Sequence, residues 1–523
     1  MDEPRLATRD HLLALPSCSP CPINKSTLFT VLIRMKSLLS CVLPFLIVAC
    51  VGTPSVQGVA GTAPGPAEPW VPPLALTQRN AADTATPDIA LPPDIAERAS
   101  HLTLTELIDI GLRNNTATRQ SWAQARAAAA SYGSARGEWL PTLDADVNAT
   151  RLKTTASQGR SAVTQSVFAP SLSLSWLLLD FGGRNGRVGS AREQLISADF
   201  THNAVLQSAV LQIEVSYFQY VATRALLEAQ ATSLKEAQAN LSAAEERRRV
   251  GLATIADVLQ ARTALSQTQL TMQSTEGSLA TTRGALALAL GLPANVPYDV
   301  DTTAADVPVA VLADSVQQLI DAAVAGRPDL AAARADAEAA GARIGDARSA
   351  LLPELRLSAN AGRTYATSIP NGSDNYTVSL GLSIPIFSGF SRRYDLTSAQ
   401  YSADAARAQT ASLRQQVIFE VFSSYYILQT ATRRVHTADD LLASAEQSTQ
   451  VALARYKEGV GTVLDLLAAQ SALADARAQR IQARLEWNVS LAQLAHDAGV
   501  LDIQGGNSLR LIQDSTPSAP GND

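Results

Sequence analysis

The chain carries one pattern twice, and this internal repeat limits its fold to an architecture built from two similar units. The segment "ELIDIGLRNN", which begins at Glu106, returns as "QLIDAAVAGR" from Gln318. "WLPTLDADV" from Trp139 returns as "LLPELRLSA" from Leu351 at the same spacing. Further along, a slightly shorter spacing relates the pairs Arg184 and Arg392, Tyr217 and Tyr425, Gly251 and Gly459, Asp257 and Asp465, and Gly291 and Gly499. The change of spacing falls in predicted hairpin loops, where insertions are tolerated.

Each repeat contains two segments in which apolar and polar residues alternate, at about residues 140–180 and about 353–387. Alternation with period two predicts strands that have one apolar and one polar face. One interpretation is a soluble sheet packed on helices, and the other is a transmembrane barrel with a polar, water-filled lumen. The small residues of the polar face favour the barrel, because a soluble core requires bulkier side chains. The alternation is clear for Leu172, Leu174 and Trp176 against Ser171, Ser173 and Ser175.

Four strands are too few to close a transmembrane barrel. An open sheet edge in lipid would leave backbone N–H and C=O groups unpaired, at a cost of several kcal/mol each. The pattern therefore predicts that the chain contributes its four strands to a barrel that an oligomer closes.

Long helices follow the strands in each repeat. No proline occurs between Arg184 and Gly251, so a continuous helix there would be about 100 Å long at about 1.5 Å per residue. The apolar residues of this stretch leave a narrow seam that suits helices laid side by side in a coiled-coil-like wall. An ordinary bundle of Ala-rich helices is the alternative. The seam residues are Val210, Ile213, Tyr217, Tyr220 and Leu227.

The first fifty residues have the features of an export signal. From Met35, a positively charged start precedes an apolar run from Leu38 to Ala49, which is too short to span a membrane as a helix. The run ends in "IVAC", which resembles the lipobox of bacterial lipoproteins, and this resemblance implies cleavage before Cys50 and lipidation (palmitate) of its thiol. Val51, in place of an aspartate, then favours the outer membrane. The alternative is plain export, with cleavage near "SVQGVAG" and no lipid.

The sequence divides into five segments. Residues 1–49 comprise an upstream extension and the signal peptide, 50–100 a Pro-rich tether, 101–300 the first repeat, 301–503 the second repeat and 504–523 a loose tail. Each repeat is predicted as one helix, two strands and two long helices. The formal net charge of −6 gives no basic field for nucleic acid. All four cysteines lie in the first fifty residues, so neither a disulfide framework nor a cysteine-ligated metal is expected.

The tripeptide "DFG", which begins at Asp180, occurs in protein kinases, where its aspartate binds magnesium. The chain lacks the His-Arg-Asp motif of kinases, and Ser388 takes the place of Asp180 in the second repeat. Asp180, Gly182 and Gly183 are instead predicted to join a strand to a long helix, since glycine permits a sharp turn. Ser388 and Gly389 are predicted to form the second joint. No Ser/His/Asp set, phosphate loop or metal cluster occurs in the sequence, so neither enzyme activity nor a cofactor is expected.

The motifs of both repeats resemble those of the TolC-like outer-membrane efflux proteins, from His101 to Gly499. The resemblance rests on segments such as "LLDFGGR", "RRRVGLATIADVLQAR", "LSIPIFSGFSRR" and "RYKEGVGTVLDLLAAQSAL". It implies an α+β membrane protein that forms a homotrimer. Twelve strands, four per chain, would form one transmembrane β-barrel, which continues as a long periplasmic α-helical barrel. The lipobox is similar to that of the lipid-anchored branch of this family.

The resemblance also implies a functional region where the long helices reverse. Asp257, Asp465 and Tyr456 are the candidates for a periplasmic gate, because a ring of carboxylates would narrow the lumen and repel anions. The basic partner that relatives carry at this gate is replaced by Gly461, and Arg249 is a candidate substitute. The turns themselves are expected to meet a periplasmic adaptor protein through Val250, Gly251, Leu252, Gly459, Val460 and Gly461.

Three functions are compatible with this sequence. The first is the outer-membrane exit duct of a tripartite pump that exports small molecules with an adaptor and a proton-driven inner-membrane transporter. The second is the duct of an ATP-driven type I system that secretes proteins or peptides. The third is a structural trimer that tethers the outer membrane and conducts nothing. The lipobox favours the first, because the lipid-anchored relatives mostly serve efflux pumps.

Overall fold

The computed structural model describes residues 102–154, 163–301, 315–367 and 369–501. The predicted signal peptide, Cys50, the tether and the tail lie outside these residues. In chain order, the described elements are α1 (Leu104–Asn114), α2 (Thr116–Gly137), β1 (Thr142–Thr154), β2 (Val163–Leu179), α3 (Gly183–Arg249), α4 (Ile255–Ala289), α5 (Val316–Gly326), α6 (Pro328–Ser349), β3 (Glu354–Ala366), β4 (Ile369–Ser383), α7 (Ser391–Lys457) and α8 (Val463–Asp497). None of the described helices combines the length and the hydropathy needed to cross a bilayer.

The helices have equal lengths in the two halves of the chain. α1 and α5 contain 11 residues each, α2 and α6 22, α3 and α7 67, and α4 and α8 35. The helices before the strands repeat at the spacing that separates Glu106 from Gln318, and those after the strands repeat at the shorter spacing that separates Gly251 from Gly459. These are the two spacings of the sequence pattern. Below, positions of the long helices that are related by the shorter spacing are called equivalent.

One prediction about these helices is wrong. The pattern predicts one helix before each pair of strands, whereas the structure has two, which meet at Asn115 and at Arg327. Asn115 has extended backbone, and its side chain accepts a hydrogen bond from the Ala117 amide, so it ends one helix and caps the next. Arg327 precedes Pro328, and a residue before proline is disfavoured in helical conformation.

The strands form one antiparallel sheet in the order β1-β2-β3-β4. Its apolar face is not covered by the helices, since Leu143 and Val378 are each 69% exposed. A soluble sheet packed on helices therefore does not fit this structure. One row across the apolar face contains Leu143, Leu174, Ala359 and Val378, and the next row, on the polar face, contains Asp144, Ser173, Asn360 and Thr377.

The apolar core lies away from the sheet, where short helices pack on long ones. α1 covers α3 and α4 in a cluster that includes the buried Ile213 and Tyr217 of the predicted seam. The Tyr217 hydroxyl donates to the Asp301 carbonyl oxygen at 2.6 Å, which satisfies its buried polar group. α5 covers α7 and α8 in a second cluster around Trp487. The helical part of the chain therefore carries its own core, independent of the sheet.

The strand-to-helix joints have left-handed backbone at two successive residues. In the first joint these are Phe181 and Gly182, with φ of 48° and 102°, and in the second they are Gly389 and Phe390, with φ of 61° and 66°. Glycine and phenylalanine thus exchange places between the joints. Gly183 differs from the prediction because it is already the first residue of α3. A Cβ atom there would lie 2.4 Å from the hydroxyl oxygen of a serine at the end of α6, so this glycine permits close packing rather than the turn.

The Asp180 side chain caps the helix that follows the first joint. Its carboxylate accepts a hydrogen bond from the Arg184 amide at 2.6 Å, in the first turn of α3. The Arg184 guanidinium donates to the Leu178 carbonyl oxygen at 3.0 Å and lies 4.3 Å from the centroid of the Trp139 ring. In the second joint, the Ser388 carbonyl oxygen accepts a hydrogen bond from the side chain of the serine three residues later, at 3.0 Å.

We expect Gly182→Ala to destabilise the first joint by about 1 kcal/mol. A Cβ atom would meet no neighbour there, so the cost comes from the left-handed backbone, which alanine disfavours. Gly341→Ala is the matched control, since Gly341 lies in the interior of α6 and also faces open space. It should stabilise the helix by up to about 1 kcal/mol. Thermal melting in detergent, followed by circular dichroism, should shift in opposite directions for the two variants. Shifts in the same direction would contradict this account of the joint.

Candidate functional site

The two turns between the long helices have the same backbone geometry. In the first turn, the Gly251 and Leu252 amides donate to the carbonyl oxygens of Arg248 and Arg247, at 3.0 and 2.8 Å. The second turn, between α7 and α8, contains the same pair of hydrogen bonds. Gly251 and Gly459 are left-handed, with φ of 79° and 76°. This is the Schellman arrangement, in which a left-handed glycine ends a helix and satisfies its last carbonyl groups.

The six predicted docking residues all lie in these two turns. The side chains of Val250, Leu252 and Val460 are more than half exposed. At Gly461 a Cβ atom would lie 3.0 Å from the Arg455 Cβ, so glycine lets the second turn return close to α7. The turns therefore present apolar side chains to solvent on a tightly held backbone.

The two gate candidates Asp257 and Asp465 cap the helices that leave the turns. The Asp257 carboxylate accepts hydrogen bonds from the Thr254 amide and hydroxyl at 2.7 and 2.9 Å, and the Thr254 hydroxyl accepts one from the Asp257 amide at 3.3 Å. Thr462 and Asp465 form the same capping box at the start of α8. Both carboxylates are thereby held at the ends of their helices.

The pKa of Asp465 lies below its ordinary value because the Thr462 hydroxyl and amide donate hydrogen bonds to the carboxylate, with a further attraction from Arg455. Arg455, Gly461 and Asp465 line one groove of about 720 Å³ beside the second turn. A basic and an acidic group therefore share this groove.

Arg247 connects the two turns. Its guanidinium lies 4.5 Å from the centroid of the Tyr456 ring, and Nη1 donates to the Tyr456 carbonyl oxygen at 2.7 Å. Tyr456 is 8% exposed, and its hydroxyl has no hydrogen-bond partner among the described residues. The ring and the carbonyl group therefore make this contact. Arg249, the predicted basic substitute, instead pairs with Glu246 on its own helix, with Nε 3.0 Å from the carboxylate.

Polar contacts continue along the line where α3 meets α8. The Asn240 amide nitrogen donates to the Gln470 side-chain oxygen. Glu236 receives two hydrogen bonds from the Arg477 guanidinium, at 3.2 and 3.4 Å. Near the turn, the contact between α3 and α4 combines an apolar cluster around Ala244 with an ion pair, in which the Arg262 guanidinium donates to the Glu245 carboxylate at 3.0 Å. The two helical hairpins are thus tied to each other by polar pairs.

Comparison with known proteins identifies the family. A family model described as "Outer membrane efflux protein" matches residues 107–292 and 319–500. The chain belongs to the outer membrane efflux protein family. The predicted family is therefore confirmed. Membership makes this efflux protein a channel protein of the Gram-negative outer membrane rather than an enzyme.

Relatives and solved structures agree with this assignment. Protein CyaE of Bordetella pertussis is 29% identical over 421 residues, which cover 80% of this chain and 88% of that protein. The solvent efflux pump outer membrane protein SrpC of Pseudomonas putida is 27% identical over 402 residues, which cover 75% and 84%. The structure of the outer-membrane channel OprN aligns with a TM-score of 0.69 at 21% identity, over 77% of this chain and 90% of that one. This likeness shows a shared fold.

Two features of the turns in this efflux protein go beyond the predictions made from its sequence. The capping boxes were visible there, because "TIAD" and "TVLD" fit the pattern of a threonine followed three residues later by an acidic residue. The sequence does not predict the contact of Arg247 with Tyr456. It is one of three consecutive arginines, and only the rotation of α3 against α7 decides which of them reaches Tyr456.

We expect Arg247→Ala to loosen both turns of the efflux protein, because it removes the ring contact and the hydrogen bond to Tyr456. Loss of about 1–2 kcal/mol should speed amide exchange in the two turns about tenfold, measured by hydrogen–deuterium exchange and mass spectrometry. Arg249→Ala is the matched control and should leave exchange in the second turn unchanged. Tyr456→Phe should also be silent, since the hydroxyl has no partner among the described residues, whereas Tyr456→Leu, which removes the ring but keeps the backbone carbonyl group, should show part of the Arg247→Ala effect. Equal effects of the two arginine variants would contradict the contact.

Proposed function

We propose that this protein is the outer-membrane exit duct of a tripartite efflux system and that it exports small molecules. The main support for this proposal is that a four-stranded sheet, whose apolar face the helices leave uncovered, is joined to helices of 67 residues. A helix of that length extends about 100 Å, which suits a passage that leads from the membrane far into the periplasm. The family and a relative named as a solvent efflux pump outer membrane protein support this function.

In this proposal three chains close the membrane barrel. β1 and β4 are the edges of the sheet within one chain, and their outer backbone groups need partners in lipid. Three copies would supply twelve strands, with the row of Leu143 facing lipid and the row of Asp144 facing the lumen. The helices of the three copies would continue the passage as a helical barrel. Lipid on Cys50 would anchor each chain to the same membrane.

The turns would form the end of the duct that contacts the adaptor and contains the gate. Val250, Leu252 and Val460 supply exposed apolar contacts for a periplasmic adaptor protein, and an inner-membrane transporter driven by protons would supply the energy. Asp257 and Asp465 would form rings of three carboxylates around the axis, and Tyr456 would hold the second turn in place through Arg247.

We expect the purified protein to form cation-selective channels in planar bilayers. Asp465→Asn should reduce the selectivity for cations, because it removes one carboxylate per chain from the ring. Thr462→Ala is the matched control, since it breaks the capping box but keeps the charge. A protein that inserts into the bilayer as a trimer without conducting would instead be a structural tether. If Thr462→Ala changed the selectivity as much as Asp465→Asn, the effect would come from the turn and not from the charge.

We expect a photo-crosslinking residue at Leu252 to capture an adaptor protein in living cells, identified by mass spectrometry. Leu252 is 71% exposed, so the probe should reach a partner without disturbing the turn. The same residue at Leu288, at the end of α4 remote from the turns and 74% exposed, is the control for non-specific capture. An adaptor of a proton-driven pump would support efflux, whereas an adaptor of an ATP-driven exporter would move the function to secretion. Equal capture of the adaptor at both positions would argue against docking at the turns.

A further inference from the structure

Two cations lie at the end of β1 that is farthest from the strand-to-helix joints. Successive residues of a strand point to opposite faces, so Arg151 and Lys153 share the apolar face of the sheet with Leu143. Both side chains are exposed. The two carboxylates of β1, at Asp144 and Asp146, lie on the polar face. The charges of this strand are therefore separated by sign, and both cations lie on the face that the proposed duct turns toward lipid.

Aromatic side chains mark the two limits of the apolar face. Near the joints, the Trp176 indole nitrogen donates to the Trp139 carbonyl oxygen at 3.0 Å. Toward the far end, the Phe168 ring lies 6.2 Å from the Tyr365 ring, measured between centroids. The strand between Phe168 and Trp176 is about 27 Å long, or about 21 Å in height at the tilt usual in membrane barrels. This height is close to the apolar band of such barrels, which is about 25 Å tall between two aromatic girdles.

Arg151 and Lys153 lie just beyond the far limit of this band. In the register of β1 and β2, Arg151 is opposite Ser166 and Lys153 is opposite Thr164, in the rows that follow Phe168. Ser166 and Thr164 are also exposed, so their hydroxyl groups can donate hydrogen bonds beside the two cations. In the proposed duct the helices occupy the periplasm, and the far end of the sheet therefore meets the headgroups of the outer leaflet.

The chemistry of this patch selects an anionic group attached to an apolar body. Side chains two residues apart on one strand face are about 7 Å apart, so the long side chains of Arg151 and Lys153 can reach one anion. Within the described residues, neither cation forms an ion pair with a carboxylate. Guanidinium and ammonium groups both bind phosphate well. Because the rows toward the joints are apolar from Phe168 onward, a phosphorylated lipid satisfies both parts of the surface.

We propose that Arg151 and Lys153, with the hydroxyl groups of Ser166 and Thr164, bind the phosphate groups of the glycolipid in the outer leaflet of the outer membrane. The acyl chains of that lipid would lie along the apolar face, beginning at Phe168. The inference rests on the proposed duct, because the duct places the far end of the sheet at the exterior. Three copies of the chain would hold three such sites around the barrel.

The second repeat has a cation at the same place, but this cation is engaged within the chain. Arg363 follows Arg151 at the longer spacing of the repeat. Its Nε lies 3.4 Å from the Asp374 carboxylate, and Nη2 donates to the Asn371 carbonyl oxygen at 3.0 Å. The guanidinium also lies 5.6 Å from the centroid of the Tyr365 ring. The first hairpin therefore carries the open pair of cations, and the second supplies a control inside the same chain.

The test measures the binding of diphosphorylated lipid A to the purified full chain in phosphatidylcholine nanodiscs, by native mass spectrometry. The double variant Arg151→Gln/Lys153→Gln should raise the Kd about tenfold or more, because it removes two charge-assisted contacts. Arg363→Gln is the matched control and should leave the Kd unchanged, since Arg363 already pairs with Asp374. Arg151→Lys keeps the charge and should keep most of the affinity. If the double variant does not assemble, the single variants Arg151→Gln and Lys153→Gln give the same comparison.

Two further ligands separate a lipid headgroup from free phosphate. Lipid A from which both phosphate groups have been removed should bind the unmodified chain as weakly as intact lipid A binds the double variant. Inorganic phosphate at the same concentration should not displace lipid A, because it has no apolar part for the face near Phe168. Equal loss of binding in the double variant and in Arg363→Gln would overturn the proposal. Equal binding of the dephosphorylated lipid, or displacement by inorganic phosphate, would overturn it as well.

Conductance in planar bilayers separates this site from the duct. All of these variants should conduct as the unmodified chain does, since the substituted cations lie on the lipid face and not in the lumen. A protein that conducts but binds both forms of lipid A equally would refute the lipid site alone. A protein that shows the expected lipid binding without conductance would refute the duct alone.

Discussion

The structure depends on how the backbone groups at the edges of one small sheet find partners. Among the described residues, β1 and β4 each have one edge without a partner strand, and the apolar side chains Leu143 and Val378 on these two strands are exposed. In a bilayer the apolar side chains can face lipid, but the open edges are not stable for a single chain, because lipid cannot pair with backbone N–H and C=O groups. In the proposed duct, neighbouring copies would pair these edges, and the joints at Gly182 and Gly389 would direct the long helices away from the membrane.

The long helices pack against each other through small side chains. They need close contact over a great length, and small side chains provide it, as at Ala244 against Ala261 and at Ala445 against Ala476. Large side chains are concentrated where the short helices α1 and α5 add a second layer, around Tyr217 and Trp487.

The turns combine rigidity with exposure. Schellman hydrogen bonds and capping boxes fix the backbone, so apolar side chains such as Leu252 can be presented to a partner without collapsing onto the helices. Arg247 then makes the two turns of one chain a single unit through Tyr456. Asp465 serves the cap and, in the proposed duct, the ring of carboxylates, so one side chain carries a structural and a functional role.

The sequence by itself determined the period-two strands, the proline-free helices and the glycines at the turns, because each depends on local spacing or on backbone conformation. It also indicated the family through contiguous motifs. Only the tertiary structure decided the packing role of Gly183 and the choice of Arg247 over Arg249. These depend on the relative rotation and separation of helices far apart in the chain. Local pattern does not encode that geometry, since three adjacent arginines are equivalent until a partner helix lies beside one of them.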